Sequence, residues 1–241
     1  MEISPDQIIY WQNGPVVLNA TLVFTWLAMG ILAIGSAAAT RTVSSGAGLS
    51  RWQNLLEVIV TAILDQIEAA GLRTPRRYLP FIGTLLLFIV TCNMLDVVPG
   101  VVAPTASLTT PVALAVCVFV AVPVFGITNR GLREYLRRYI RPSPFMLPFN
   151  IIGEVSRTVA LAVRLFGNMM SGHLVVAILV SLAPLFFPVA MQVFGLLIGV
   201  IQAYVFAVLA LVYIASGARV YEAENEEDDA AQPLPSSTAD V

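Results

Sequence analysis

The sequence predicts an all-α integral membrane protein: about five transmembrane helices plus one amphipathic helix on the membrane surface, with the last two helices long and tilted. Three observations lead there. Of 241 residues, 58% are hydrophobic and 12% are charged, about half the charged share of an ordinary soluble domain. Several apolar runs reach the ~20 residues that cross a hydrocarbon core. All thirteen basic residues are arginine, and ten of them fall in two loops. No period-2 alternation punctuated by turns suggests a membrane barrel.

The arginines orient the chain. One loop carries Arg41, Arg51, Arg73, Arg76 and Arg77, and the other Arg130, Arg133, Arg137, Arg138 and Arg141. By the positive-inside rule both face the cytoplasm. Residues 1–15, which carry no basic residue, face outward. They lack a basic n-region and a small-residue cleavage site, so the apolar run after them is a retained span.

That first span is 16–38. Residues 39–78 form a cytoplasmic loop with a surface helix. Within Arg51 to Ala70, Leu55, Leu56, Ile59, Ile63 and Ile67 line one side, while Glu57, Asp65 and Glu68 lie elsewhere. That pattern suits a helix lying along the bilayer. Residues 79–127 make a hairpin: Leu79 to Val98 runs outward, Pro99-Gly100 turns, and Thr109 to Ile127 returns. Residues 128–148 are the second basic loop, ending in the proline-broken RPSPFMLP. Residues 149–218 hold two apolar segments, Phe149 to Leu182 and Leu185 to Ala218, each too long for a perpendicular span and so tilted. Pro184 and Pro188 mark the turn between them. Residues 219–241 are acidic and rich in Pro and Ser, a composition that reads as disordered; after five spans they lie in the cytoplasm.

Cys92 and Cys117 sit in apolar segments without metal-ligand spacing and read as small core residues. There is no phosphate-cradling glycine loop, nucleophile elbow or HExxH motif. The expectation is a non-catalytic chain with no metal, no cofactor and no nucleic-acid partner.

The informative residues are the polar ones inside the spans. Arg164 stands in the apolar run Thr158 to Val180. A guanidinium cannot discharge by losing a proton, and at membrane depth it costs at least ~2.5 kcal/mol. No carboxylate of this chain is expected at its level: Glu154 lies ten residues before it and Asp96 near the opposite face. The charge therefore points to a functional or intersubunit role. Asn168 shares its helix face. Arg157, two turns earlier, reads as an interfacial anchor. Gln202 falls at comparable depth if the two long helices pack antiparallel, where it either bonds the guanidinium or joins helices. His173, the only histidine, either relays protons or packs. Asn93 and Asp96 lead in from the outer face, Glu154 and Ser156 from the inner one. Two polar half-paths separated by a fixed cation admit ions from each side without letting them pass straight through.

RLFGNMMSGH (Arg164 to His173), with PFN (Pro148 to Asn150), NMLDVVP (Asn93 to Pro99) and IQAYVFAVLALVYI (Ile201 to Ile214), resembles subunit a of the F-type rotary ATP synthase over all but the acidic tail. The resemblance implies a stator beside a ring of c subunits, working with b-type peripheral-stalk subunits and, indirectly, the F1 sector in a bacterial or archaeal inner membrane. It implies that Arg164 faces the ring's ion-carrying carboxylate, joined by Asn168 and Gln202. It implies that Asn93 and Asp96 line the outer half-channel, and that His173 fills a position held by Glu or His in different branches. Some branches pair that position with an ionisable group where this chain has Gly195, and an acid often stands where it has Asn19. LNATLVFTW with RWQNLLE also resembles the N-type subgroup associated with sodium, so both H⁺ and Na⁺ stand as coupling ions. The alternative reading from another class is a stand-alone secondary ion transporter, against which the lack of internal repeats weighs.

Overall fold

A computed structural model describes residues 9–13, 16–41, 51–72, 74–98, 101, 103–130, 146–182 and 187–231. It is helical apart from a short antiparallel hairpin near the N-terminus. Strands β1 (Ile9–Asn13) and β2 (Val16–Asn19) pair Asn13 with Val16 and Ile9 with Asn19. The first helix, α1 (Ala20–Arg41), therefore starts four residues later than the apolar run. The sequence reading placed 16–19 in the span and missed the hairpin.

The remaining helices among the described residues are α2 (Arg51–Ala69), α3 (Pro75–Leu95), α4 (Thr109–Arg130), α5 (Met146–Leu182) and α6 (Phe187–Ala231), with a 3₁₀ turn at Pro104–Ala106. Five of them are long and apolar enough to span a membrane; α2 is not among them. The all-α, five-span class holds. α2 ends because Gly71 takes a left-handed conformation (φ 77°) that a side chain would resist, its N–H bonding the Glu68 carbonyl at 2.8 Å. Pro75 then opens α3, where its missing N–H costs nothing. α3 thus begins inside what the sequence reading treated as loop, and it closes three residues before Val98. The expected turn at Pro99-Gly100, most of the second basic loop and the turn at 183–186 lie outside the described residues. α6 carries the helix on to Ala231, so the first part of the tail read as disordered is helical backbone; residues 232–241 lie outside the described residues.

The core is built on α3. Tyr78, Ile82, Leu85 and Ile89 recur at helical spacing and meet Ala203, Phe206, Ala207, Ala210 and Leu211 of α6 in one buried cluster. The alanines let the backbones approach closely, which matters where lipid is as apolar as the core and association rests on packing. Ile63 and Ile67 of α2, Val118 of α4 and Leu161 and Leu165 of α5 complete the cluster. Tyr78 and Phe125 rings meet at 5.0 Å. Hydroxyls inside the spans bond the preceding turn, as Thr91 does with the Leu87 carbonyl (2.7 Å) and Thr158 with that of Glu154 (2.9 Å). Cys92 is buried as expected; Cys117 is exposed on α4 and is not a core residue.

The span within α5 has 34 residues and that within α6 has 30. At 1.5 Å per residue these are roughly 50 and 45 Å long against a ~30 Å hydrocarbon core. Both long segments are present as expected, and their outward faces are apolar: Val159, Val163, Val175, Ile178, Val193, Leu197 and Ile201 are exposed.

Candidate functional site

α3 delivers Asp96 at its C-terminal end, where the helix has run out of partners for its last carbonyls. The carboxylate Oδ1 of Asp96 accepts the Ala103 N–H at 3.3 Å and faces His173 Nε2 of α5 at 2.9 Å. The other ring nitrogen, Nδ1, lies 3.0 Å from the Met169 carbonyl. Both neighbours are acceptors, so a ring carrying two N–H groups makes both bonds at once and a neutral ring makes one. His173 and Asp96 are each half-buried.

From α6, Gln192 Nε2 donates to the backbone carbonyl of Asp96 at 3.3 Å. One turn back along α3, Asn93 Nδ2 donates to the Gly199 carbonyl at 2.7 Å. Asn93 is 3% exposed, and its Oδ1 has no partner among the described residues. These groups surround a cavity of about 400 Å³, lined by Asn93 and Asp96 from α3, by residues from Asn168 to Val176 of α5, and by residues from Met191 to Gly199 of α6. It reaches Asn168, four residues from Arg164, or about 6 Å along the helix axis.

Arg164 stands at the middle of the α5 span Pro148–Ser181, and Gln202 at the middle of the α6 span Phe187–Ser216. Arg164 is exposed on the outer face of α5 and forms no ion pair or hydrogen bond with the described residues. Gln202 is buried with its Nε2 unpartnered among them. Glu154, half-buried, and Ser156, exposed, lie toward the N-terminal end of α5 and take no part in the cavity. The Arg157 guanidinium lies 5.6 Å from the Tyr213 ring centroid, a cation–π contact.

Four sequence-predicted residues therefore meet at one cavity: Asn93, Asp96, Asn168 and His173. Arg164 and Gln202 lie within a turn or so of Asn168 and Gly199 at one end of it, and Glu154 and Ser156 stand apart. Two residues the sequence reading passed over belong to the site, Gln192 and Gly199. Gln192 had a signal, being with Gln202 one of two amides in the apolar span Phe187–Ser216. Gly199 had none beyond being a glycine in a span.

The family model described as ATP synthase A chain matches residues 22–215. ATP synthase subunit a of Albidiferax ferrireducens is 58% identical over 219 residues, covering 91% of this chain and 95% of that protein. ATP synthase subunit a 2 of Acaryochloris marina is 58% identical over 228 residues (95% and 97%), and ATP synthase subunit a 1 of Crocosphaera subtropica 59% over 217 (90% and 94%). These matches set aside the stand-alone transporter. The chain belongs to the ATP synthase subunit a family, the non-catalytic, multi-pass membrane component of that complex.

Proposed function

We propose that this subunit is the stationary half of the complex's ion path in a bacterial or archaeal inner membrane, with its arginine-rich loops cytoplasmic and its N-terminus outside. The observation that carries the reading is Arg164: a fixed cation at mid-span, exposed outward and without a counter-ion among the described residues. In this reading its counter-ion is the ion-carrying carboxylate of a ring of c subunits. Ala160, Gly167 and Ser171 lie on the same exposed side of α5, and such small side chains suit the close approach of a second helix.

The cavity from Asp96 to Asn168 serves as the outer half-channel, and the Glu154 and Ser156 end of α5 as the inner one. A ring carboxylate arriving loaded is neutral. Facing Arg164 it ionises, because a nearby positive charge favours its charged form, and it releases its ion to one half-channel before reloading from the other. Leak is blocked by the same charge. A cation ~4 Å from the guanidinium meets ~4 kcal/mol of repulsion at an effective dielectric of ~20, about three orders of magnitude in passage. Gln202, beside Arg164 in this scheme, holds the guanidinium's level on α6. Peripheral-stalk subunits of b type hold the subunit against the torque that the F1 sector receives.

The test is Arg164→Ala in the whole complex in inverted membrane vesicles. The complex assembles and keeps its ATPase, and ATP-driven ion uptake is lost. Uptake at the unsubstituted rate refutes the mechanism.

A further inference from the structure

The α6 wall of the cavity carries no titratable side chain. Around the Asp96–His173 pair the groups facing in are Val97, Val98 and Val101 after α3, Ser171 and Gly172 of α5, and Gln192 and Gly195 of α6, so Asp96 and His173 are the only titratable members among the described residues. Gly195 leaves open space: a methyl group there would meet nothing within 4 Å. What α6 contributes instead is one amide, Gln192, aimed not at the carboxylate but at the carbonyl of the same residue.

That carbonyl belongs to the frayed end of α3, where the Asp96, Val97 and Val98 N–H groups bond back at a lengthened 3.1–3.3 Å. Such an end is the part of a helix most free to move. Two side-chain bonds tie it to α6: Asn93 to Gly199, one turn inside, and Gln192 to Asp96 at the tip. The first fixes the helix; the second fixes the residue that carries the carboxylate. Both Asp96 contacts from elsewhere, Ala103 N–H and His173 Nε2, converge on the same oxygen, Oδ1, so a small rotation of the tip strains both. We infer that Gln192 is a positioning residue for ion access: it holds the Asp96 backbone so that the carboxylate stays on His173, and thereby sets the external-pH dependence of transport. The inference rests on the outer half-channel reading above.

The test uses the assembled complex with Gln192→Met, which keeps length and loses the donor, beside Asp96→Asn. ATP synthesis driven by an imposed gradient is followed against the pH on the outer side, with ATPase and assembly as controls. Loss of one hydrogen bond's worth of ordering predicts a Gln192→Met profile displaced by roughly half a pH unit or more. A uniform loss of rate with an unmoved midpoint, or a profile identical to the unsubstituted one, overturns the positioning role. If Asp96→Asn also leaves the midpoint unmoved, the half-channel reading falls with it. If Asp96→Asn moves the midpoint and Gln192→Met does not, only the role of Gln192 is lost.

Discussion

Two glycines four residues apart on α6 should respond to the same substitution in opposite ways. A methyl group added at Gly199 would lie 2.8 Å from Asn93 Nδ2, 2.9 Å from its Cγ and 3.1 Å from its Cβ; at Gly195 it would meet nothing within 4 Å. Asn93 cannot swing clear cheaply, because it is 3% exposed and its Nδ2 already bonds the Gly199 carbonyl at 2.7 Å. Gly199→Ala forces that bond open and leaves a second buried amide atom unpaired beside Oδ1, a cost of about 1–3 kcal/mol. Set against this is a helix-propensity gain of up to ~1 kcal/mol. Gly195→Ala collects the gain without the penalty. The propensity gain is common to both, so the two variants should differ by about 1–3 kcal/mol in thermal unfolding of the detergent-solubilised complex, Gly199→Ala being the less stable. Asn93→Ala added to Gly199→Ala removes the two nearest atoms and should restore part of the loss. Equal stability of the two glycine variants, or no recovery in the double variant, would show that Asn93 is not clamped against α6.

Phe206 is fully buried between α3 and α6. Because lipid is as apolar as the core, Phe206→Ala loses mainly the cavity term, about 2 kcal/mol for roughly 100 Å³ vacated, read as a lowered unfolding midpoint with the ATPase of the surviving complex unchanged. Gly167 is exposed three residues after Arg164, with open space for a side chain. Gly167→Asp should pair with the arginine inside this chain and suppress ion uptake, while Gly167→Asn, of equal size, should retain far more; equal uptake by the two would refute the charge argument.

The spans were legible because the membrane leaves little choice. Backbone polar groups must be satisfied within each segment, so long apolar runs become helices, and the apolar stretches within α5 and α6 could be read directly. The surface helix was legible from Ile59, Ile63 and Ile67, two of which are buried against α3. The ends were less so. β1 and β2 are too short to carry a periodic signal, and the apolar residues of β2 run straight into the span that follows. The first part of the tail is helical despite its acidity, since Ala and Glu favour helix and α6 provides a nucleus to extend. At the site, composition singled out Arg164, His173 and Asp96, but the contact between Asp96 and His173 joins residues 77 apart in sequence. No local pattern encodes such a pairing. Gln192 escaped notice because one amide in a span is commonly a helix–helix contact, and its target is a backbone atom that no sequence displays.

The arginine's availability follows from how the chain disposes of its own carboxylates. Asp96 is taken: its Oδ1 faces His173 at 2.9 Å, and His173 lies nine residues beyond Arg164, roughly 13 Å along the axis. Glu154 lies ten residues to the other side, about 15 Å away along the axis. At that separation, with an effective dielectric of ~20, attraction to the guanidinium is ~1 kcal/mol, against ~4 kcal/mol for a carboxylate at ~4 Å. Neither internal acid can compete with a carboxylate brought into contact from outside. Among the described residues the cost of the charge at mid-span is thus kept by the fold rather than relieved within it. In the proposed reading it is relieved when a partner surface presents an ionised carboxylate to the exposed face of α5, so the energy that makes Arg164 expensive in isolation would become, in the assembled complex, the attraction that selects the ionised state of that partner at this level of the membrane.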